Sequence, residues 1–189
     1  MGKIILASSS PRRADIMKMM NYEFKIVPSP YEEKHTTTVF SYEFIENLAY
    51  EKAKAVAQSL DEEALVIGAD TIVVLNDEIL GKPKDKNDAL KMLKKLSAVK
   101  HSVVTSIVVI NSCTNEVYKN STTSYVEFEN LSDEQINFYI DNFKPFDKAG
   151  SYGIQEMPAS YIKHYTGSLE NIIGMCSKAL EELLGQALN

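Results

Sequence analysis

Only two cysteines and three histidines occur among the 189 residues. Cys113 and Cys176 stand far apart without paired spacing, which excludes a zinc knuckle and a Cys-x-x-Cys redox motif and leaves both as reduced thiols. His35, His101 and His164 form no His-x-x-His or His-Glu-x-x-His arrangement, so the signature of a tight zinc site is missing. Positive charge is in deficit: 20 Lys and Arg against 26 Asp and Glu give a net charge of −6, which argues against nucleic acid as a partner. No apolar run reaches the ~18 residues of a bilayer span, and the stretch before Ala7 is too short for a signal-peptide core. A cytoplasmic protein with no membrane partner is expected. Gly-x-x-x-x-Gly-Lys-Ser/Thr and Gly-x-Gly-x-x-Gly are also absent, which removes the P-loop and the dinucleotide-binding fingerprint.

What remains is an ordinary globular composition, 44% hydrophobic and 24% charged, with no low-complexity tract or internal repeat. The length suits a single α/β domain over residues 1–189. Ile4–Ala7 reads as a buried strand, Arg12–Met20 as a helix and Phe24–Val27 as a second strand closed by prolines. Tyr31–Thr38 is a polar loop carrying Glu32 and Glu33. Ser41–Leu60 is the clearest helix, with Ile45, Leu48, Ala49, Ala53, Val56 and Leu60 at three- and four-residue spacing. Lys52 lies inside that stripe, where an unpaired charge is costly to bury.

Leu65–Ile67 and Ile72–Leu75 are strand-like runs that Gly68-Ala-Asp-Thr71 is expected to interrupt with a turn, before a hairpin at Asn76-Asp77. Asn87–Leu96 is a surface helix, and Ser102–Ile110 with Val117–Phe128 an antiparallel pair. Ser132-Asp-Glu-Gln135 is a capping box that opens a helix to about Asn142. Lys148–Gln155 is irregular, Tyr161–Tyr165 a strand, and Leu169–Leu188 helical with a break near Gly174.

The chemistry begins where the first strand ends. Ser8-Ser-Ser10 is followed by Pro11 at a helix start and by Arg12 and Arg13 in the first turn, with Ser10 as expected N-cap. A helix N-terminus disfavours cations unless an anion answers them, and phosphate is the natural anion. Asp70, at the end of an apolar run, has the placement of a general base or a metal ligand. The hairpin then returns Lys82 to the same end of the sheet. Lys148 and Gln155 stand beside Gly150 and Gly153, in a segment suited to close backbone approach to a ligand. The cations Arg12, Arg13, Lys52, Lys82 and Lys148 with the carboxylates Glu33 and Asp70 suit a polyphosphate carrying a divalent ion.

Seven segments in order extend this reading. They are Leu6-Ala-Ser-Ser-Ser-Pro-Arg-Arg13, Leu48-Ala-Tyr-Glu-Lys-Ala53, Gly68-Ala-Asp-Thr71, Leu80-Gly-Lys-Pro83, His101-Ser-Val-Val-Thr105, Asp147-Lys-Ala-Gly-Ser-Tyr-Gly-Ile-Gln155 and Gly167-Ser-Leu-Glu-Asn-Ile-Ile-Gly174. Together they resemble the Maf (septum-formation inhibitor) family of nucleoside triphosphate pyrophosphatases over nearly the whole chain. The resemblance implies an α/β fold of inosine triphosphatase type, a mixed twisted sheet with flanking helices and two lobes around a central cleft. It implies hydrolysis of a nucleoside triphosphate to monophosphate and pyrophosphate, with Mg²⁺ or Mn²⁺. Asp70 matches the family's proton acceptor, and is expected to share the metal with Glu33. Lys52 and Lys82 are expected to assist catalysis. Arg13, Thr71 and Gln155 match positions associated with base selection, and Ser8, Arg12 and Lys148 match other polar cleft residues.

The Lys148–Gln155 segment resembles the branch acting on dTTP and UTP. Three departures stand out: Ala98-Val99 and Glu156 where glycines are usual, and Met175-Cys176 where Leu-Pro is usual. Two rival readings stay open, a nucleotide-binding regulator of septum formation without turnover and a pyrophosphatase for purine triphosphates. Oligomeric state also stays open, a homodimer being the assembly considered.

Overall fold

The computed structural model describes residues 3–32 and 37–188. Among these, the β-branched and aliphatic runs form the strands β1 (Lys3–Leu6), β2 (Lys25–Ile26), β3 (Ala64–Leu75), β4 (Glu78–Leu80), β5 (Lys100–Asn111), β6 (Val117–Phe128) and β7 (Ile162–Thr166). They make one mixed sheet in the order β2-β1-β3-β5-β6-β7, with β4 paired to β3. β1 runs parallel to β2 and β3, and the remaining pairs are antiparallel. Helices α1 (Pro11–Met19), α2 (Tyr42–Ala57), α3 (Lys86–Leu96), α4 (Asp133–Phe143), α5 (Leu169–Ile173) and α6 (Ser177–Ala187) flank the sheet. No helix among the described residues is long and apolar enough to cross a membrane.

Strand alternation divides the core. On one face α2 packs Ala49, Ala53 and Val56 onto Val66, Val108 and Ile110. The other face carries two clusters. Leu65, Ile67, Ile107 and Val109 pack against Ile16 and Met17 of α1 and Leu180, Leu183 and Leu184 of α6. Further along the same long strands, Val73, Val103, Val126 and Phe128 pack against Leu93 and Leu96 of α3 and Ile136, Tyr139 and Ile140 of α4. These two clusters lie on one face of the sheet, one toward each end of β3.

β3 differs from the sequence reading. No turn occurs at Gly68-Ala-Asp-Thr71: the strand continues, paired with β5 from Leu65↔Asn111 to Val74↔Ser102. Gly68 serves helix packing instead. A Cβ there would lie 2.3 Å from the Ala49 carbonyl oxygen and 2.8 Å from the Ala53 amide nitrogen, so a side chain would force α2 off the sheet. The other edge of β3 does break. β1 pairs with it as far as Leu6↔Ile67, and β4 pairs with it from Val73↔Leu80 onward. Between them, residues 68–72 meet no strand on that edge among the described residues.

The start of α1 also differs. Ser10 occupies the N-cap position with extended backbone, yet its side chain makes no capping bond. The Ser10 amide itself donates to the Ser8 hydroxyl at 3.2 Å, which ties the turn together ahead of the helix. The expected capping box is present on α4, where Ser132 and Gln135 exchange both bonds. The C-terminal helical stretch is two helices, α5 and α6, divided after Gly174, whose φ is +138°.

Candidate active site

The unpaired edge of β3 opens into a cleft of about 380 Å³. Its walls are the β1–α1 turn from Ala7 to Arg13, the 70–73 segment of β3, Gly81-Lys82 after β4, the Asp147–Glu156 loop, and Ile172–Gly174. Among the sequence candidates, Ser8, Arg12, Arg13, Lys52, Asp70, Thr71, Lys82, Lys148 and Gln155 all line it. Glu33 lies outside the described residues.

Asp70 sits at the middle of the unpaired edge and is buried. It faces α2, as Gly68 does two residues earlier, because alternate strand residues share a face. The close seat of α2 over Gly68 brings Lys52 down onto it, and the ammonium of Lys52 donates to the Asp70 carboxylate. Their side chains are 13% and 9% exposed. The lysine placed among apolar helix residues is thus held by a partner on the strand beneath α2. A carboxylate beside an ammonium, on a backbone stretch open to a cleft, can accept a proton from water or hold a cation.

Thr71 points to the opposite face, toward α1 and Gly174. Arg13 gathers that side: its Nε donates to the Gly174 carbonyl at 3.0 Å, Nη1 to Ser8 Oγ at 3.2 Å and Nη2 to Thr71 Oγ1 at 3.2 Å. Thr71 Oγ1 also lies 2.9 Å from Thr105 Oγ1, which donates to the Asn171 carbonyl at 2.9 Å. Since the Thr105 proton is used there, the Thr71 hydroxyl donates to Thr105 and turns its lone pairs toward Arg13.

A second charged group lies across the cleft. Arg12 Nη1 is 3.2 Å from Asp147 Oδ2, and Lys148 Nζ is 2.8 Å from Asp147 Oδ1 and 3.0 Å from Glu156 Oε2. Burial tends to raise the Asp147 carboxyl, but Lys148 and Arg12 outweigh it and hold the group below its ordinary value. Lys148 is 8% exposed and packs its stem under Gly153, where a Cβ would meet Lys148 Cε at 2.9 Å. Lys82 and Gln155 are exposed at the rim.

Sequence reasoning gave Asp147 and Glu156 no role as partners of Lys148. Asp147 had a signal in its adjacency to Lys148, whereas the Glu156 contact depends on the loop turning back on itself. Ser29 and Tyr31 also line the cleft and carried no signal of their own. Among the described residues, no group of three or more His, Cys, Asp or Glu converges as a metal site. Magnesium commonly takes one or two carboxylates and fills its shell from substrate phosphates and water. A cleft with a buried carboxylate at Asp70, ringed by cations suited to phosphate, fits such a donor set.

A family model described as "Maf-like protein" matches residues 3–187. A "dTTP/UTP pyrophosphatase" of Clostridium botulinum (strain Alaska E43 / Type E3) is 38% identical over 187 residues, covering 98% of this chain and 100% of the relative. One from Alkaliphilus oremlandii, of the same name, is 43% identical over 175 residues, covering 93% and 91%. Among solved structures, a HAM1 protein from Coxiella burnetii superposes with a TM-score of 0.51 at 17% identity, covering 100% of this chain and 98% of that one. That likeness concerns the fold.

Proposed function

The chain belongs to the Maf-like protein family, and from this premise we propose that it is a nucleoside triphosphate pyrophosphatase acting on dTTP and UTP. The reading extends to modified pyrimidine triphosphates that keep the same base edge, and to a cytosolic, housecleaning role for the whole chain as a single domain. The observation that carries it is the Lys52–Asp70 pair on the open edge of β3, facing Arg12, Lys82 and Lys148 across one cleft.

In the proposed reaction, a water oxygen attacks the α-phosphorus. The bond from that phosphorus to the oxygen bridging to the β-phosphate breaks, and pyrophosphate leaves with the bonding pair. Asp70 takes the proton of the attacking water, and Lys52 orients its carboxylate. Arg12, Lys82 and Lys148 bind the phosphate oxygens, whose charge redistributes as the bond breaks. For Arg12 and Lys148 this means exchanging Asp147 and Glu156 for phosphate. Asp70, with Glu33 as the second carboxylate, would hold Mg²⁺ or Mn²⁺; when bound, the ion draws charge from the phosphate oxygens.

Gln155 supplies base choice in this reading, its amide offering donors and an acceptor to the O4/N3 edge of thymine or uracil. Thr71 and Arg13 shape the same side of the cleft, with Ser8 braced between Arg13 and the α1 start. The test compares kcat/KM for dTTP, UTP, ATP and GTP in the wild type and in Gln155→Ala. We expect both pyrimidines well ahead of both purines, and a narrower gap in the variant because pyrimidine turnover falls. A wild-type preference for a purine would overturn the pyrimidine assignment.

A further inference from the structure

His101 is a buried titratable group with no part in the chemistry above. It stands on β5, 2% exposed, in a box closed by Phe128 and Tyr152. Its ring meets both edge-on, at centroid distances of 5.0 and 5.5 Å. Nδ1 lies 3.2 Å from the Val99 carbonyl, which can only accept, so Nδ1 carries the proton and Nε2 is the acceptor. Nε2 lies 2.8 Å from the Tyr152 hydroxyl, which therefore donates to it. Burial favours the neutral ring and pushes the imidazole down to about 4, so this pattern holds at neutral pH.

Tyr152 is itself a wall residue of the cleft and the centre of the loop that carries Lys148 and Gln155. That loop is pinned on both sides of it. The Gly150 amide donates to the Gly81 carbonyl at 3.0 Å, and the Gly153 amide donates to the Tyr139 hydroxyl at 3.0 Å. At Gly150, φ is +64° and a Cβ would meet Val73 at 2.9 Å. The amides of Gly150 and Gly153 thus hold the two flanks of the loop, Ser151 Oγ reaches Met92, and Tyr152 carries the loop's largest side chain into the core. A leucine would fill the space of His101 without any polar atom. A matched polar pair there adds a directional bond between the loop and β5 that an apolar contact would lack.

We infer that His101 is a positioning residue for substrate selection, setting through Tyr152 where the Lys148–Glu156 loop presents Gln155 and Lys148 to the nucleotide. The inference rests on the proposed reading of the cleft as a pyrimidine triphosphate site.

The experiment measures kcat and KM for dTTP and GTP, with melting temperature, in His101→Leu, Tyr152→Phe, the double variant and His101→Gln. Each single loss of the bond should raise KM for dTTP about tenfold, with a smaller change in kcat, and narrow the dTTP-to-GTP ratio. His101→Gln, whose amide oxygen can accept from Tyr152, should recover most of the ratio. The double variant leaves neither side of the His101–Tyr152 bond unpaired, so it should regain part of the melting temperature while its KM stays high. If His101→Leu does not fold, Tyr152→Phe, which removes only an oxygen, carries the comparison. A Tyr152→Phe protein with wild-type KM and ratio would overturn the inference, as would a KM that simply follows melting temperature across the series. A wild type active on dTTP alongside such a result leaves the functional reading standing; a wild type inactive on dTTP and UTP overturns both.

Discussion

Lys52 of α2 and Asp70 of β3 form an ion pair across the stretch where β3 lacks a neighbouring strand on its cleft edge. Two elements separated by a loop in sequence are joined there, so the pair is a structural contact and, in the proposed reaction, the base with its orienting cation. Removing Lys52 leaves the buried Asp70 carboxylate without its ammonium, which costs about 3 kcal/mol or more, whereas removing both charges costs far less.

Lys52→Met should therefore lower stability, and the double variant with Asp70→Asn should recover most of the loss. All three should be inactive, Asp70→Asn by at least the ~10²-fold of a lost general base. Denaturant unfolding with a pyrophosphate-release assay checks both. Losses that add in the double variant would mean that the two side chains act independently.

Gly68→Ala tests the seat of α2. The added methyl would meet backbone atoms of Ala49 and Ala53, which cannot rotate away. Overpacking of this kind costs about 1–3 kcal/mol, or roughly 3–10 °C in melting temperature for a chain of this length. Activity should fall as well, because displacing α2 draws Lys52 from Asp70. An unchanged melting temperature would show that the helix has slack over the strand.

Acid should destabilise the fold through His101. Its folded value of about 4 lies below the ordinary 6.5, so between those values the unfolded chain binds a proton that the folded chain refuses. The contribution is complete above pH 6.5 and is lost as pH falls toward 4, amounting to roughly 3 kcal/mol over that window. In His101→Gln this part of the pH dependence should vanish. Parallel stability curves for the two proteins from pH 7 to 4 would refute it.

The features readable in the sequence are those that local periodicity or composition encodes. The α2 stripe, the long β5 and β6 runs and the Ser132–Gln135 box appear where expected because each depends on neighbours within a few residues. Asp70 and Lys82 meet in one cleft because a tight hairpin relates them. The continuity of β3 was hidden: glycine and aspartate inside a strand look like a turn, and their reason lies in Ala49, Ala53 and Lys52 on a helix packed from elsewhere. The His101–Tyr152 bond joins residues 51 positions apart and requires both the β5 register and the loop's docking, neither of which periodicity supplies. At α1, the Ser10 side chain makes no capping bond, while Ser8 Oγ accepts from the Ser10 amide and from Arg13, contacts that a local N-cap pattern does not reveal.

The most direct measurement follows the oxygen. With dTTP, Mg²⁺ and ¹⁸O-labelled water, the wild type should release dTMP and pyrophosphate in equal amounts, with the label in dTMP. Asp70→Asn should do so at least ~10²-fold more slowly. Label in pyrophosphate, release of dTDP with orthophosphate, or an Asp70→Asn protein at wild-type rate would contradict attack on the α-phosphorus with Asp70 as base.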